Sequence, residues 1–421
     1  MLGISTDILS EHDYCIRTGI DFLDRILGGG IYFTRITEIF GTEHCGKTAL
    51  AILLSHISKC KVYKRIDENN FQRVKGASCL TLYVDNENSL NDTNRVEING
   101  EKLECLVASC DTISHLFNTI SDFSNSIQEL NTPKEGDDKE KPPVFGLVVV
   151  DTIAGICSDE EAQADLGKQD YPRGPKQLRA GFRRISNLIK RSNVAIVCIN
   201  QVGTNMQSGG GKRRPFQSIS ADPDDFTSPG GKALKFWSTT RLWMTEYKDY
   251  KLRNGSRNSD GKIIEAVVLK CRFATPRRKV RLALSYGTGN KSMNSGGGFD
   301  PKLSVLETLI LLKLAEINDN KEILFKYNKN GIALPNPTGK KVYDPRIPDR
   351  YGWFDYYSAN EENVNKLIDK AYDVLLSTGV ASDRPVDQVD DDLDDEDIDD
   401  DPIPRPVRRS RRTMPELDDD I

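Results

Sequence analysis

At 421 residues the chain is longer than a usual single domain, which favours one large core with appendages over several equal modules. Its 58 basic and 63 acidic side chains give a formal charge of -5, yet sixteen acids and six bases lie from Asp383 onward, so the rest of the chain carries about +5. Nine cysteines without CxxC pairing, an N-terminal MLGISTDILS lacking the regions of a secretory signal, and apolar runs well short of the ~20 residues that span a bilayer point to a reduced, cytoplasmic setting and no membrane role.

Residues 1–17 form a short leading segment. From about residue 35 to 290, short β-branched runs alternate with amphipathic stretches, the pattern of a mainly parallel twisted sheet flanked by helices, an α/β core expected over 18–298. The predicted strands are 35–40, 80–84, 146–150, 194–200, 241–245, 263–270 and 280–284. The charged stretch 128–143 reads as an exposed insertion. Over 299–380 the pattern changes to a small C-terminal, α-containing domain, with helices expected at 301–317 and 361–378. Residues 381–421 hold too few large apolar side chains for a core and are expected to be a disordered acidic and basic tail.

The first predicted strand runs into Gly41-Thr42-Glu43-His44-Cys45-Gly46-Lys47-Thr48 and then the helical stretch ALAILLSHIS, which matches GxxxxGK[ST] with both flanks that a P-loop requires. Gly41 and Gly46 let the backbone curl so that amide N–H groups and a helix N-terminus face phosphate oxygens. Lys47 is expected to neutralise the β- and γ-phosphates of ATP, and Thr48 to supply a hydroxyl to Mg2+. The strand at 146–150 ends on Asp151, where a carboxylate could hold the same ion; the competing role for this acid is a helix cap, shared with Thr152. The strand at 80–84 leads into Glu87, the candidate base that orients the attacking water, or else a solvated loop residue.

Two long, turn-rich loops follow the strands ending near Asp151 and Gln201, at 157–175 and 202–229, and loops at such strand ends tend to carry function. The second places Lys212, Arg213 and Arg214 beside Phe216, and the first places Lys168 and Arg173 around Tyr171: cations for phosphates next to rings able to stack on bases. The ordinary reading of such a cluster is a solvated surface. Between them Leu178, Phe182, Ile185 and Ile189 form an apolar helical stripe, expected to be core.

TGIDFLDRILGGGI before the P-loop, VVVDTIAGI around Asp151, INQV around Gln201 and PGGKALKFWSTTRL together resemble the RecA family of DNA strand-exchange recombinases, from about Thr18 to Gly289. The resemblance implies a RecA-like P-loop ATPase that forms helical filaments on single-stranded DNA and pairs it with duplex DNA, with Glu87 as the catalytic glutamate and Gln201 as γ-phosphate sensor. VLKCRFATP resembles the segment whose basic residues reach the neighbouring subunit's ATP, which makes Lys270 and Arg272 candidates for that role; otherwise they are a solvated strand edge. The two loops then correspond to those that line the filament axis and hold single-stranded DNA. GGGFDPKLSVLETLILLKL and the acidic tail resemble phage recombinases of the UvsX type. A single-strand-binding protein and a loader are the expected accessory partners. The chain departs from the pattern in its short segment before Thr18, which bears on subunit docking, and at Asn94, where bacterial RecA has an aromatic residue beside the adenine. Competing functions are a RecA-fold helicase motor and a non-catalytic ATP-binding mediator. The acidic run at 386–401 is expected to compete with DNA for the basic loops.

Overall fold

The protein is described here by a computed structural model that covers residues 13–58, 61–67, 70–91, 97–98, 101–133, 142–163, 174–204, 226–227, 232–250, 259–286, 298–317, 323–325 and 353–377. A nine-stranded sheet organises these residues. In chain order its strands are β1 (Ile36–Gly41), β2 (Ser78–Asp85), β3 (Leu106–Ala108), β4 (Val144–Asp151), β5 (Val194–Gln201), β6 (Thr240–Tyr250), β7 (Gly261–Lys270), β8 (Arg278–Ser285) and β9 (Gly298–Asp300). They lie side by side as β9-β8-β7-β6-β1-β5-β4-β2-β3. The six strands from β6 to β3 run parallel, and β7, β8 and β9 extend the sheet antiparallel. All seven predicted strands are present, within an α/β sheet of the expected kind.

The parallel strands read as continuous apolar runs because both faces are covered. Along β4, Leu147 and Val149 join one apolar cluster while Val148 and Val150 join another. The second cluster is closed by helices α3 (Ile113–Asn131), α5 (Gly174–Ser192) and α6 (Lys232–Trp237). The expected stripe of Leu178, Phe182, Ile185 and Ile189 is buried there. Gly181 marks the closest approach of α5 to α3, since a Cβ at that position would lie 1.9 Å from the Phe117 ring. On the other face lie α1 (Asp21–Ile26), α2 (Lys47–Ser58), α7 (Pro301–Leu311), α8 (Trp353–Ala359) and α9 (Glu361–Ser377). Trp353 is fully buried, its indole N–H donating to the Lys302 carbonyl at 2.6 Å. Between α3 and α5 the chain also forms the short helix α4 (Asp159–Gln163).

Several boundaries differ from expectation. The helix predicted over 301–317 starts as read, with the Asp300 carboxylate accepting from Leu303 N–H and Pro301 in the first turn, but ends at Leu311. Lys313 takes a positive φ of 59° and Leu314 N–H bonds back to the Leu309 carbonyl, so the chain turns and residues Ala315–Ile317 form a strand paired with Ile323–Phe325. Residues 128–131, read as the start of an insertion, are the last turn of α3. There Asn131 clasps the start of β4, donating to the Val144 carbonyl at 2.7 Å and accepting from its N–H at 2.8 Å. Within the loop predicted over 157–175, Ser158 and Glu161 form a reciprocal capping box that starts α4. A small antiparallel sheet, in the order Ile31–Tyr32, Tyr14–Ile16, Val62–Arg65, Phe71–Arg73, was not anticipated. Residues 1–12, 134–141 and 378–421 lie outside the described residues. No helix among the described residues is long and apolar enough to cross a membrane.

Candidate nucleotide-binding site

Parallel register brings the chemistry to one edge of the sheet. Gly41 at the end of β1 pairs with Gln201 on β5 and with Met244 on β6, and Asp151 at the end of β4 pairs with Asp85 on β2. These positions lie at the carboxyl ends of their strands, where open α/β sheets bind ligands. Gly41 has no room for a side chain: a Cβ there would meet the Met244 carbonyl oxygen at 1.8 Å. Gly46 has a φ of 81°, which suits glycine, and α2 begins at the next residue.

Glu43 and His44 are exposed at the tip of the loop and Thr42 is half-buried. Lys47 is buried, and its ammonium donates to the carbonyls of Gly41 at 3.1 Å and Thr42 at 2.5 Å. Cys45 is wholly buried beneath the loop, and burial pushes its thiol above the ordinary range against the opposing charge of Lys47.

Asp151 is fully buried. One carboxylate oxygen accepts from the Tyr83 hydroxyl at 2.9 Å, while Oδ1 accepts no hydrogen bond. Burial pushes this carboxyl above the usual range, opposed by the Tyr83 hydrogen bond and by the neighbouring hydroxyl of Thr48, the residue that follows Lys47 in the P-loop. A buried carboxylate with an unpartnered oxygen beside a hydroxyl is a donor set suited to a hard cation such as Mg2+, which takes one or two carboxylates and keeps several waters. Thr152, the alternative cap, makes no capping bond; its hydroxyl instead donates to Glu87 Oε1 at 3.0 Å.

The Gln201 amide donates to that same Glu87 oxygen at 3.0 Å. Residues assigned to base and sensor from separate strands therefore meet, with Thr152 as an unforeseen third member. Asp85 is used locally, accepting from Ser89 N–H at 2.8 Å and Leu90 N–H at 3.0 Å, which folds the chain around Glu87.

Lys270 and Arg272 stand elsewhere. Lys270 ends β7 opposite Arg241, which in turn pairs with Glu38, three residues or roughly 10 Å before Gly41 along β1. Its ammonium caps the C-terminal end of α6, donating to the Lys235 carbonyl at 2.9 Å and that of Phe236 at 3.2 Å. Burial, then Arg272, Arg241 and Lys235, hold this amine below its ordinary range. Arg272 follows in an exposed turn.

Loop 202–229 is anchored by a short antiparallel ribbon, Gly203–Thr204 against Phe226–Thr227. Its Lys212, Arg213, Arg214 and Phe216, the first loop's Lys168, Tyr171 and Arg173, and Asn94 lie outside the described residues. The cations of α5 that lie off its apolar stripe in the sequence, Arg179, Arg183, Arg184 and Lys190 among them, form the outer face of the helix. Lys176, Arg179, Arg183, Arg184, Lys190 and Arg191 are all exposed on a helix that contains no acidic residue.

A family model for the RecA N-terminal domain matches residues 141–291, which run from the start of β4 past β8. The chain is similar to RecA over this segment and beyond it. It is 26% identical to Protein RecA of Thermus aquaticus over 275 residues, 65% of this chain and 67% of that one. Protein RecA of a Wolbachia from Brugia malayi is 24% identical over 366 residues, 85% of this chain and 87% of its own. Protein RecA of Ureaplasma parvum is 26% identical over 289 residues, 68% of this chain and 72% of its own. The likeness to RecA thus extends well beyond the segment that the family model covers.

Proposed function

We propose that the protein is an ATP-dependent recombinase, of the phage UvsX type, that assembles on single-stranded DNA and promotes pairing and strand exchange with duplex DNA. The observation that carries this reading is the hydrogen bond from the Gln201 amide to the Glu87 carboxylate at 3.0 Å, at the root of the loop predicted to bind DNA. A residue that touches the hydrolytic carboxylate and begins a DNA loop is placed to make one depend on the other.

In this reading the P-loop amides between Gly41 and Gly46 and the start of α2 receive the phosphates of ATP, and Lys47 neutralises their charge. Thr48 and Asp151 hold Mg2+, whose contribution when bound is to offset phosphate charge. Glu87 orients the attacking water and accepts its proton, with Thr152 fixing the carboxylate. Gln201 exchanges the Glu87 oxygen for the γ-phosphate, and that exchange sets the conformation of 202–229. Lys168, Tyr171, Arg173, Lys212, Arg213, Arg214 and Phe216 grip the strand, with the exposed cations of α5 adding attraction for the phosphate backbone. Lys270 and Arg272 complete the nucleotide site of the next subunit. Strand exchange rearranges base pairs, so hydrolysis regulates grip and turnover without forming a bond in DNA. A single-strand-binding protein and a loader act with the filament, in the host cytoplasm if the chain is phage-encoded.

The deciding assay measures ATP hydrolysis with and without single-stranded DNA alongside joint-molecule formation, for the wild type and for Lys47→Ala and Glu87→Gln. The expected result is DNA-stimulated hydrolysis and joint molecules in the wild type. Lys47→Ala should lose both, and Glu87→Gln should keep DNA-bound filaments while losing turnover. Robust hydrolysis without joint molecules, under conditions that coat the DNA, would overturn the recombinase reading.

A further inference from the structure

Glu38 is the one charged residue of strand β1, wholly buried beneath the α6 face of the sheet. Its Oε2 accepts from Arg241 Nε at 2.6 Å, and its Oε1 accepts from the Asn200 amide at 3.3 Å. The Arg241 guanidinium lies over the Phe40 ring at 4.4 Å, and Phe40 meets Trp243 edge-on at 5.3 Å, so the pair is walled by aromatic surface. Cross-strand register puts Cys198, Glu38, Arg241 and Lys270 in one row across β5, β1, β6 and β7.

Asn200, which bonds Glu38, and Lys270, at the β7 end of the row, belong to different parts of the proposed site. Asn200 immediately precedes Gln201, whose amide holds Glu87. Lys270, at the other end, clasps the carbonyls that close α6, the helix by which the chain returns from loop 202–229. Glu38 therefore touches the residue before the sensor on one side and, through Arg241, lies in register with the strand end that carries the candidate trans-acting cations on the other.

We propose that Glu38 is a positioning residue that couples the sensor end of β5 to the Lys270 end of β7 through Arg241, so that successive nucleotide sites in an assembly respond together. This rests on the function proposed above. A buried ion pair is by itself a poor source of stability compared with apolar replacements of similar shape, which is consistent with a different use for this one. The charges also bear on Lys270 directly: Arg241 disfavours its ammonium form, and Glu38 is the group that opposes this.

The test uses the full chain and separates coupling from folding. Replacing both partners, Glu38→Gln with Arg241→Met, removes the charges together and avoids an orphaned buried ion; Asn200→Ser, as a second variant, leaves the ion pair in place and withdraws only the amide. Thermal melting verifies the fold, and ATP hydrolysis with saturating single-stranded DNA gives kcat, KM and the Hill coefficient for ATP. The double variant should melt near the wild type and keep KM within about twofold, yet lose about tenfold in DNA-stimulated kcat with a Hill coefficient falling toward one, a loss of the size that coupling networks carry. Asn200→Ser should show the same pattern to a lesser degree. If either variant is folded and keeps both DNA-stimulated kcat and Hill coefficient, the coupling role is wrong. A parallel rise in KM and fall in melting temperature, with the Hill coefficient intact, would assign Glu38 to structure alone. A wild type without DNA-stimulated hydrolysis would instead refute the functional reading, and this inference would fall with it.

Discussion

Glu87→Gln isolates charge from geometry at the centre of the proposed site. Glu87 Oε1 accepts two hydrogen bonds, from Thr152 and Gln201, each at 3.0 Å. A glutamine carbonyl oxygen also accepts two, so both contacts can persist while the negative charge is lost. Glu87 is exposed, so the change carries little folding penalty. The loss should therefore fall on proton acceptance in the transition state, about 10²- to 10⁴-fold in kcat, or about 2.7 to 5.4 kcal/mol of barrier. Nucleotide affinity, set by the P-loop, should change little. Equilibrium binding of a fluorescent ATP analogue and steady-state hydrolysis at saturating single-stranded DNA measure the two quantities. A variant that hydrolyses ATP within a few-fold of the wild type would refute the role of Glu87 as base. So would one whose kcat loss disappears at high ATP, because the residue would then act in binding.

Three other expectations can be checked directly. Gly181→Ala gains helix propensity but puts a Cβ 1.9 Å from the Phe117 ring, so overpacking should win by about 1 to 3 kcal/mol in urea unfolding, with much of the loss recovered on adding Phe117→Leu. Tyr83→Phe removes the hydroxyl that donates to Asp151 at 2.9 Å, which should destabilise the metal-free protein by about 1 to 3 kcal/mol, with Mg2+ and nucleotide restoring part of the difference in melting temperature. Because burial raises the Asp151 carboxyl, its folded form holds a proton at a pH where the unfolded chain has released it, so this group makes the metal-free protein less stable as pH rises through that interval. Binding of Mg2+ needs the ionised form, so stabilisation by Mg2+ and nucleotide should fade on acidification at a higher pH than an ordinary aspartate would give, and thermal melts across pH measure both trends.

What could be read from the sequence was whatever leaves a local mark. Gly41, Gly46 and Lys47 carry their spacing with them, and the strands ending at Asp151 and Gln201 are apolar runs that no other element explains. The meeting of Glu87 with Gln201 left no such mark: the residues are 114 positions apart and are joined only by the strand order. Helix α7 was read too long because Leu312 and Leu314 continue its apolar pattern, whereas the turn depends on the backbone at Lys313. The small antiparallel sheet escaped notice because its strands are two to four residues long, too short to display alternation. Two signals were present and passed over: the Ser158 to Glu161 capping box, and the charged Glu38 within strand β1.

Under the proposed function, that charged strand residue bears on how one sheet serves two nucleotide sites. Strands β1, β5 and β6 run parallel and deliver Gly41, Gln201 and Met244 to the same edge. Strand β7 runs the other way, so its last residue, Lys270, arrives at the level of Glu38 and points its ammonium to the end of α6. The antiparallel extension thus separates Lys270 and Arg272 from the P-loop of their own chain by the same device that fixes their position. Under the proposed function this separation is required, because cations that act on a neighbour's ATP must not be drawn to their own. A polar connection through the sheet interior is then the short route by which the sensor in one site can register what Lys270 meets in the next, and Glu38 occupies the middle of that route.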